Sequence, residues 1–162
     1  MFWKSKEFER FAPAVFGAIT LFLIVVFRAS ITGKFAPDGW DSSNLYSAVF
    51  NWASIQSGFV FGIYGFIATK RDGFAGEVAK GQSFDLFLKY ARRAYLTGFL
   101  LTFVSLPIMV VNPAIEAESP MQFWVVAAWF AAFVWTFCAF LRVAFIFGII
   151  SATPDKKQEV MG

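Results

Sequence analysis

The chain has 162 residues, is 58% hydrophobic and 20% aromatic, and carries a net charge of +3; its mean hydropathy is +0.61. That apolar share exceeds the roughly 45–50% of soluble domains, and the charge is too small to point to nucleic acid. With no histidine, a haem with a His axial ligand and His-ligated zinc or copper are excluded, and the single cysteine, Cys138, excludes an intrachain disulfide or a C-x-x-C redox pair.

The apolar residues collect into four blocks near 11–28, 47–69, 94–112 and 121–151, each near the length needed to cross a bilayer core about 30 Å thick. The N-terminal stretch before them mixes Phe2, Trp3, Phe8 and Phe11 with charges and reads as a short interfacial helix. Glu7 and Glu9 and the lack of an A-x-A-like site argue against a secretory signal. Pro13 is tolerable near the start of the first span. Residues 29–46 read as an external loop with a tight turn at Pro37-Asp38-Gly39. Trp40 and Tyr46 suit an aromatic belt, and Ser42, Ser43 and Asn44 offer N-caps for the next helix.

The second span carries the clearest packing motif. Asn51, Ser54, Gly58, Gly62, Gly65 and Thr69 fall on one narrow face, with Ile55 its only bulky member and Gly58 and Gly62 in a G-x-x-x-G step. Small residues let helices approach closely in lipid, so this face is expected to be a helix–helix seam, with a pore or ligand groove as the alternative. Val60 lies on the opposite face, and Gln56 falls outside the seam.

The loop KRDGFAGEVAKGQS matches part of a phosphate-binding spacing at Gly76, Gly81 and Ser83. Gln82 stands where the lysine is needed, and no strand precedes it. Asp72-Gly73 reads as a turn and Ser83 as an N-cap. From there Phe84, Phe87, Leu88, Ala91 and Tyr95 align along an amphipathic helix that runs into the third span. That span is expected to stop near Pro107 and Asn112-Pro113. Ser119-Pro120-Met121-Gln122 reads as a capping box opening the fourth helix.

The fourth helix, residues 121–151, holds one charge, Arg142, and at about 1.5 Å per residue it overruns the bilayer core. Trp124, Ala128, Ala131, Trp135, Cys138, Ala139 and Arg142 share a face expected to meet protein. Val126, Phe130, Phe133, Phe137 and Phe140 lie opposite and suit lipid. Phe145, Ile146, Ile149 and Ile150, beyond Arg142, call for cover from the start of the third helix. An intramembrane guanidinium needs an acceptor, so a buried Arg142–Asp85 pair is expected there, with Glu77 as the next acid and a snorkelling Arg142 as the alternative.

Positive charge is distributed unevenly. Lys4, Lys6 and Arg10 precede the first block, and Lys70, Arg71, Lys80, Lys89, Arg92 and Arg93 separate the second from the third. Lys156 and Lys157 follow the fourth, while the other two connections hold only Arg28 and Lys34. The positive-inside rule then puts both termini and the central loop in the cytoplasm.

The expected fold is an all-α integral membrane protein: one antiparallel four-transmembrane-helix bundle over residues 1–152, its third and fourth helices extended into the cytoplasm. A polar cytoplasmic tail over residues 153–162 completes it. No carboxylate lies within the four blocks, which disfavours proton-coupled carriers. No catalytic, cofactor or metal residues are assigned. The expected function is a non-enzymatic oligomeric subunit of a bacterial inner membrane that anchors, senses or signals to a cytosolic protein partner. A pore-forming effector is the alternative, and a small-molecule transporter ranks below it. In overall plan the chain resembles the small four-pass subunits of some bacterial anti-phage systems, a resemblance of plan without a residue motif.

Overall fold

A backbone surrounded by apolar side chains must satisfy its own N–H and C=O groups, and the helix does so within one segment. The apolar runs of this chain accordingly fold as long helices. A computed structural model of the protein describes residues 3–35, 39–69, 82–113, 115 and 120–151. Among them run α1 (Trp3–Val26), α2 (Arg28–Lys34), α3 (Ser42–Thr69), α4 (Gln82–Val111) and α5 (Pro120–Ser151). Among the described residues two stretches, Asp85–Val111 and Pro120–Ile149, are long and apolar enough to cross a membrane. Phe11–Val26 with Arg28–Lys34 makes a third only if this pair, bent by 77°, is one span.

Several boundaries differ from those read in the sequence. The N-terminal segment and the first apolar block form one helix, α1, with Pro13 inside it. Proline removes one i→i−4 bond, a loss that helices supported by neighbours tolerate. Residues 29–34, expected as loop, form the short helix α2 together with Arg28. The chain turns at Phe27 (φ −94°, ψ 19°), whose N–H still bonds to Leu23 O at 2.9 Å, while Ile31 N–H bonds to Phe27 O at 3.0 Å. Helical bonding thus continues through the elbow while its direction changes. Of the turn expected at Pro37-Asp38-Gly39, residues 37 and 38 lie outside the described residues, as do the loop over 70–81, with Glu77, and the tail beyond Ser151.

Asp41 caps α3 in place of the serines and asparagine that follow it. Its carboxylate accepts the Ser43 hydroxyl at 2.6 Å and the Ser43 N–H at 2.8 Å, and these two bonds, the hydroxyl's first, hold its pKa below the usual carboxylate range. Helix α4 passes through Pro107 and stops at Asn112, which takes a positive φ of 45°. Asparagine tolerates that left-handed conformation, its N–H returns to Ile108 O at 2.9 Å, and Pro113 cannot continue the helix.

Helix α3 packs chiefly on α4, and α5 lies between α1 on one side and α4 and α3 on the other. Two apolar clusters fill the interior. One joins Tyr46, Val49 and Ala53 of α3 to Leu101 and Ile108 of α4 and to Phe123, Val126 and Trp129 of α5. The other joins Val60 and Ile63 to Phe87, Tyr90, Ala91 and Ala94 and to Ala139 and Val143. Of the residues beyond Arg142 expected to be covered by the start of α4, Ile146 packs against this second cluster. Phe145 and Ile149 stay exposed.

The two-faced reading of α5 is corrected by this arrangement. Val126, assigned to lipid, is buried, and Phe137 and Phe140 pack on Trp52 of α3 at ring separations of 5.7 and 6.3 Å. Trp124 and Ala128, assigned to protein, are exposed, whereas Ala131 and Ala139 of that face are buried as expected. A helix gripped from two sides has no single apolar face, so its wheel could not sort lipid from protein.

Candidate functional site

The core stripe of α3 runs Tyr46, Val49, Ala53, Gln56, Val60 and Ile63, alternating steps of three and four residues. That spacing keeps one seam toward a partner helix. Helix α4 answers with Phe87, Ala91, Ala94, Gly98, Leu101, Ser105 and Ile108, again in steps of four and three and all buried. The two helices meet most closely at Gly98 and at Ser57, which borders the α3 stripe. A Cβ built on Gly98 would lie 3.2 Å from Ser57 Cβ and would overlap its hydroxyl, so only glycine fits the approach as it stands. Gly17 plays a similar part between α1 and α5, where a Cβ would lie 3.1 Å from both Ala131 O and Trp135 Cβ.

The face singled out in the sequence points elsewhere. On a helical wheel Asn51, Ser54, Gly58, Gly62 and Gly65 centre about 160° from the buried stripe. Asn51, Gly58 and Gly62 are exposed, and Ser54 and Gly65 half-buried. A Cβ added at Gly58, Gly62 or Gly65 meets nothing within 4 Å among the described residues. These five residues line up on one surface, and among the described residues no helix packs closely on Gly58 or Gly62. Val60, read as lying on the far side from the seam, is 1% exposed and belongs to the core. The sequence placed the two faces correctly relative to each other, but small residues alone do not say which helix approaches them.

Polar groups cross the core at defined points. Ser42 Oγ donates to Asn112 Oδ1 at 3.3 Å and the Tyr46 hydroxyl donates to Pro113 O at 2.7 Å, tying the start of α3 to the end of α4. Trp129 Nε1 donates to Ser105 Oγ at 2.8 Å, and that hydroxyl donates to Leu101 O at 2.7 Å. Gln56 is different: it is 2% exposed, and its amide nitrogen and oxygen have no hydrogen-bond partner among the described residues. The three–four spacing of the α3 stripe was the signal in the sequence that would have put Gln56 inside.

Arg142 and Asp85 are not brought together. The Arg142 guanidinium carbon lies 3.8 Å from the centroid of the Tyr90 ring, and Tyr90 is 8% exposed. Asp85 is exposed at the start of α4, and no contact joins it to Arg142 among the described residues. A cation over an aromatic face gains from the ring quadrupole in a setting that water does not reach freely. Tyr90 sits five residues beyond Asp85 and projects into the α4–α5 contact. The ring needed no charge to be the neighbour, so a search for acids passed over it. No protein-family model, curated protein or solved structure matches the chain.

Proposed function

We propose that the chain is a non-enzymatic, multi-pass subunit of a bacterial inner membrane that self-associates and anchors or signals to a cytosolic protein. The observation that supports self-association is the Asn51, Ser54, Gly58, Gly62 and Gly65 face of α3, turned away from the protomer's own helices. Lipid contact favours large apolar side chains, and exposed positions elsewhere carry Phe22, Phe61, Leu100 and Phe103. A strip of glycine, serine and asparagine among them suits the close approach of another copy. The lysines and arginines of the 70–93 region support a cytoplasmic central loop and cytoplasmic termini in a four-span bundle, and so a partner on that side.

The polar members of the same strip, Asn51 and Ser54, favour a second reading in which several copies line a pore. Both interior clusters of the protomer are packed with side chains, so such a conduit would run between copies. Tagged protein drawn from its native membrane into nanodiscs tests the first reading by native mass spectrometry. An oligomer carrying a stoichiometric soluble protein is expected. A monomer without a soluble protein would overturn the reading, and current across planar bilayers from the oligomer alone would move it to the pore.

A further inference from the structure

A partly open pocket of about 250 Å³ lies beside the first turns of α4, lined among the described residues by Leu86, Lys89, Tyr90 and Arg93. Their spacing puts all four on one side of the helix. Tyr90 is 8% exposed, and its ring already carries Arg142 at 3.8 Å. That contact fixes the ring as a wall, and Arg142 is not assigned to a ligand. The Lys89 and Arg93 side chains are exposed, and among the described residues no hydrogen bond or ion pair engages either. Asp85 stands one turn before Lys89 and is outside the wall. Two cations one helical turn apart on one pocket select an anion, and a phosphate offers oxygens enough for both.

The height of the pocket on the helix says where that anion comes from. From Val111 back to Arg93 is about 27 Å of rise, and to Lys89 about 33 Å. A bilayer core is about 30 Å thick, so the two cations bracket its far edge. Helix α5 gives the same level independently: Arg142, seated on Tyr90, is about 33 Å from Pro120. Lipid phosphates lie at that edge, whereas a soluble acidic protein would have to enter the headgroup layer to reach Arg93. Size agrees with this. A cavity of about 150 Å³ accepts benzene, and drug-sized ligands fill roughly 300–1,000 Å³. About 250 Å³ therefore suits a headgroup and not a whole lipid.

We infer that this pocket binds the headgroup of one anionic phospholipid, its phosphate held between the Lys89 ammonium and the Arg93 guanidinium. A choline headgroup would bring its own cation against the same two charges, so the site discriminates against phosphatidylcholine. The inference rests on the membrane-spanning part of the proposed function, and neither on self-association nor on a cytosolic partner.

The test reconstitutes the full chain in nanodiscs of equal parts phosphatidylglycerol and phosphatidylcholine, and native mass spectrometry counts the lipid that stays on the released protein. One phosphatidylglycerol is expected to be retained in preference to phosphatidylcholine. Lys89→Gln and Arg93→Gln should each lower that preference by about tenfold or more, the worth of one hydrogen bond to a charged group. Arg92→Gln removes an exposed charge outside the pocket wall. It should lower the preference by no more than about fivefold, as for any basic residue near an anionic surface. Lys89→Gln decides alone should Arg93→Gln melt below the parent. Excess inorganic phosphate should leave the retained lipid in place. Equal losses from all three variants would overturn the site in favour of a diffuse basic face. A parent that retains both lipids equally would overturn it and leave the charges to an acidic protein, and displacement by inorganic phosphate would overturn the lipid assignment. Failure of the chain to enter nanodiscs would overturn the membrane reading itself, whereas entry without headgroup preference overturns the site alone.

Discussion

Gly98 and Ser57 face each other across the α3–α4 seam at a separation that leaves no room for a side chain on α4. A Cβ on Gly98 would come within 3.6 Å of the Ser57 Cα itself, and the Ser57 hydroxyl in its way is bonded to Ala53 O at 2.6 Å. Gly98→Val should therefore cost about 1–3 kcal/mol, the usual penalty of overpacking. Gly62→Leu, with open space at its Cβ, should leave the melting temperature of the isolated protomer in detergent unchanged. Melting curves of the two variants beside the parent check this, and a loss at Gly62 with none at Gly98 would reverse the assignment of the two helix faces.

At the other end of the seam the relevant pair is Arg142 with Tyr90. A largely desolvated cation–π contact is worth about 2 kcal/mol, so Tyr90→Leu should destabilise by about that amount. Tyr90→Phe, which keeps the ring, should melt close to the parent. Asp85 is exposed, and exposed ion pairs contribute about 0–1 kcal/mol, so Asp85→Ala should be near neutral. A double-mutant cycle should find coupling between positions 90 and 142 and additivity between 85 and 142. Strong coupling to Asp85 would restore the ion pair expected from sequence.

Gln56 occupies a core position with neither end of its amide bonded among the described residues. A buried unsatisfied polar group costs about 1–3 kcal/mol, and an apolar side chain of similar length removes that cost. Gln56→Met should raise the melting temperature of the protomer. A fall would mean that the amide is satisfied by a water or another polar group and belongs to a network.

Much of the helical plan was legible because long apolar runs leave few alternatives. The long α4 and α5 followed from the amphipathic run before the third block and from the length beyond Arg142, although α4 already includes Ser83, read as its cap, and Gln82 before it. The elbow at Phe27 was not legible, since residues 29–46 read as one external loop. The candidate residues were grouped correctly on α3, yet their direction depends on which helix approaches, a property of the tertiary fold. Gly98 escaped notice for the complementary reason: one glycine among Leu96, Phe99 and Leu100 gives no stripe, and its meaning appears only opposite Ser57. Arg142 drew attention to acids because charge is visible in a sequence, while the Tyr90 ring that receives it looks like ordinary core.

Cross-linking in native membranes tests the outward glycine face most directly. Single cysteines are placed at Gly62 and at Val60 in a Cys138→Ala background and oxidised without detergent. If copies meet through the α3 face, Gly62→Cys forms a disulfide-linked dimer while Val60→Cys, turned into the core of its own protomer, stays monomeric. Monomers from both variants, or dimers from Val60→Cys alone, would contradict it.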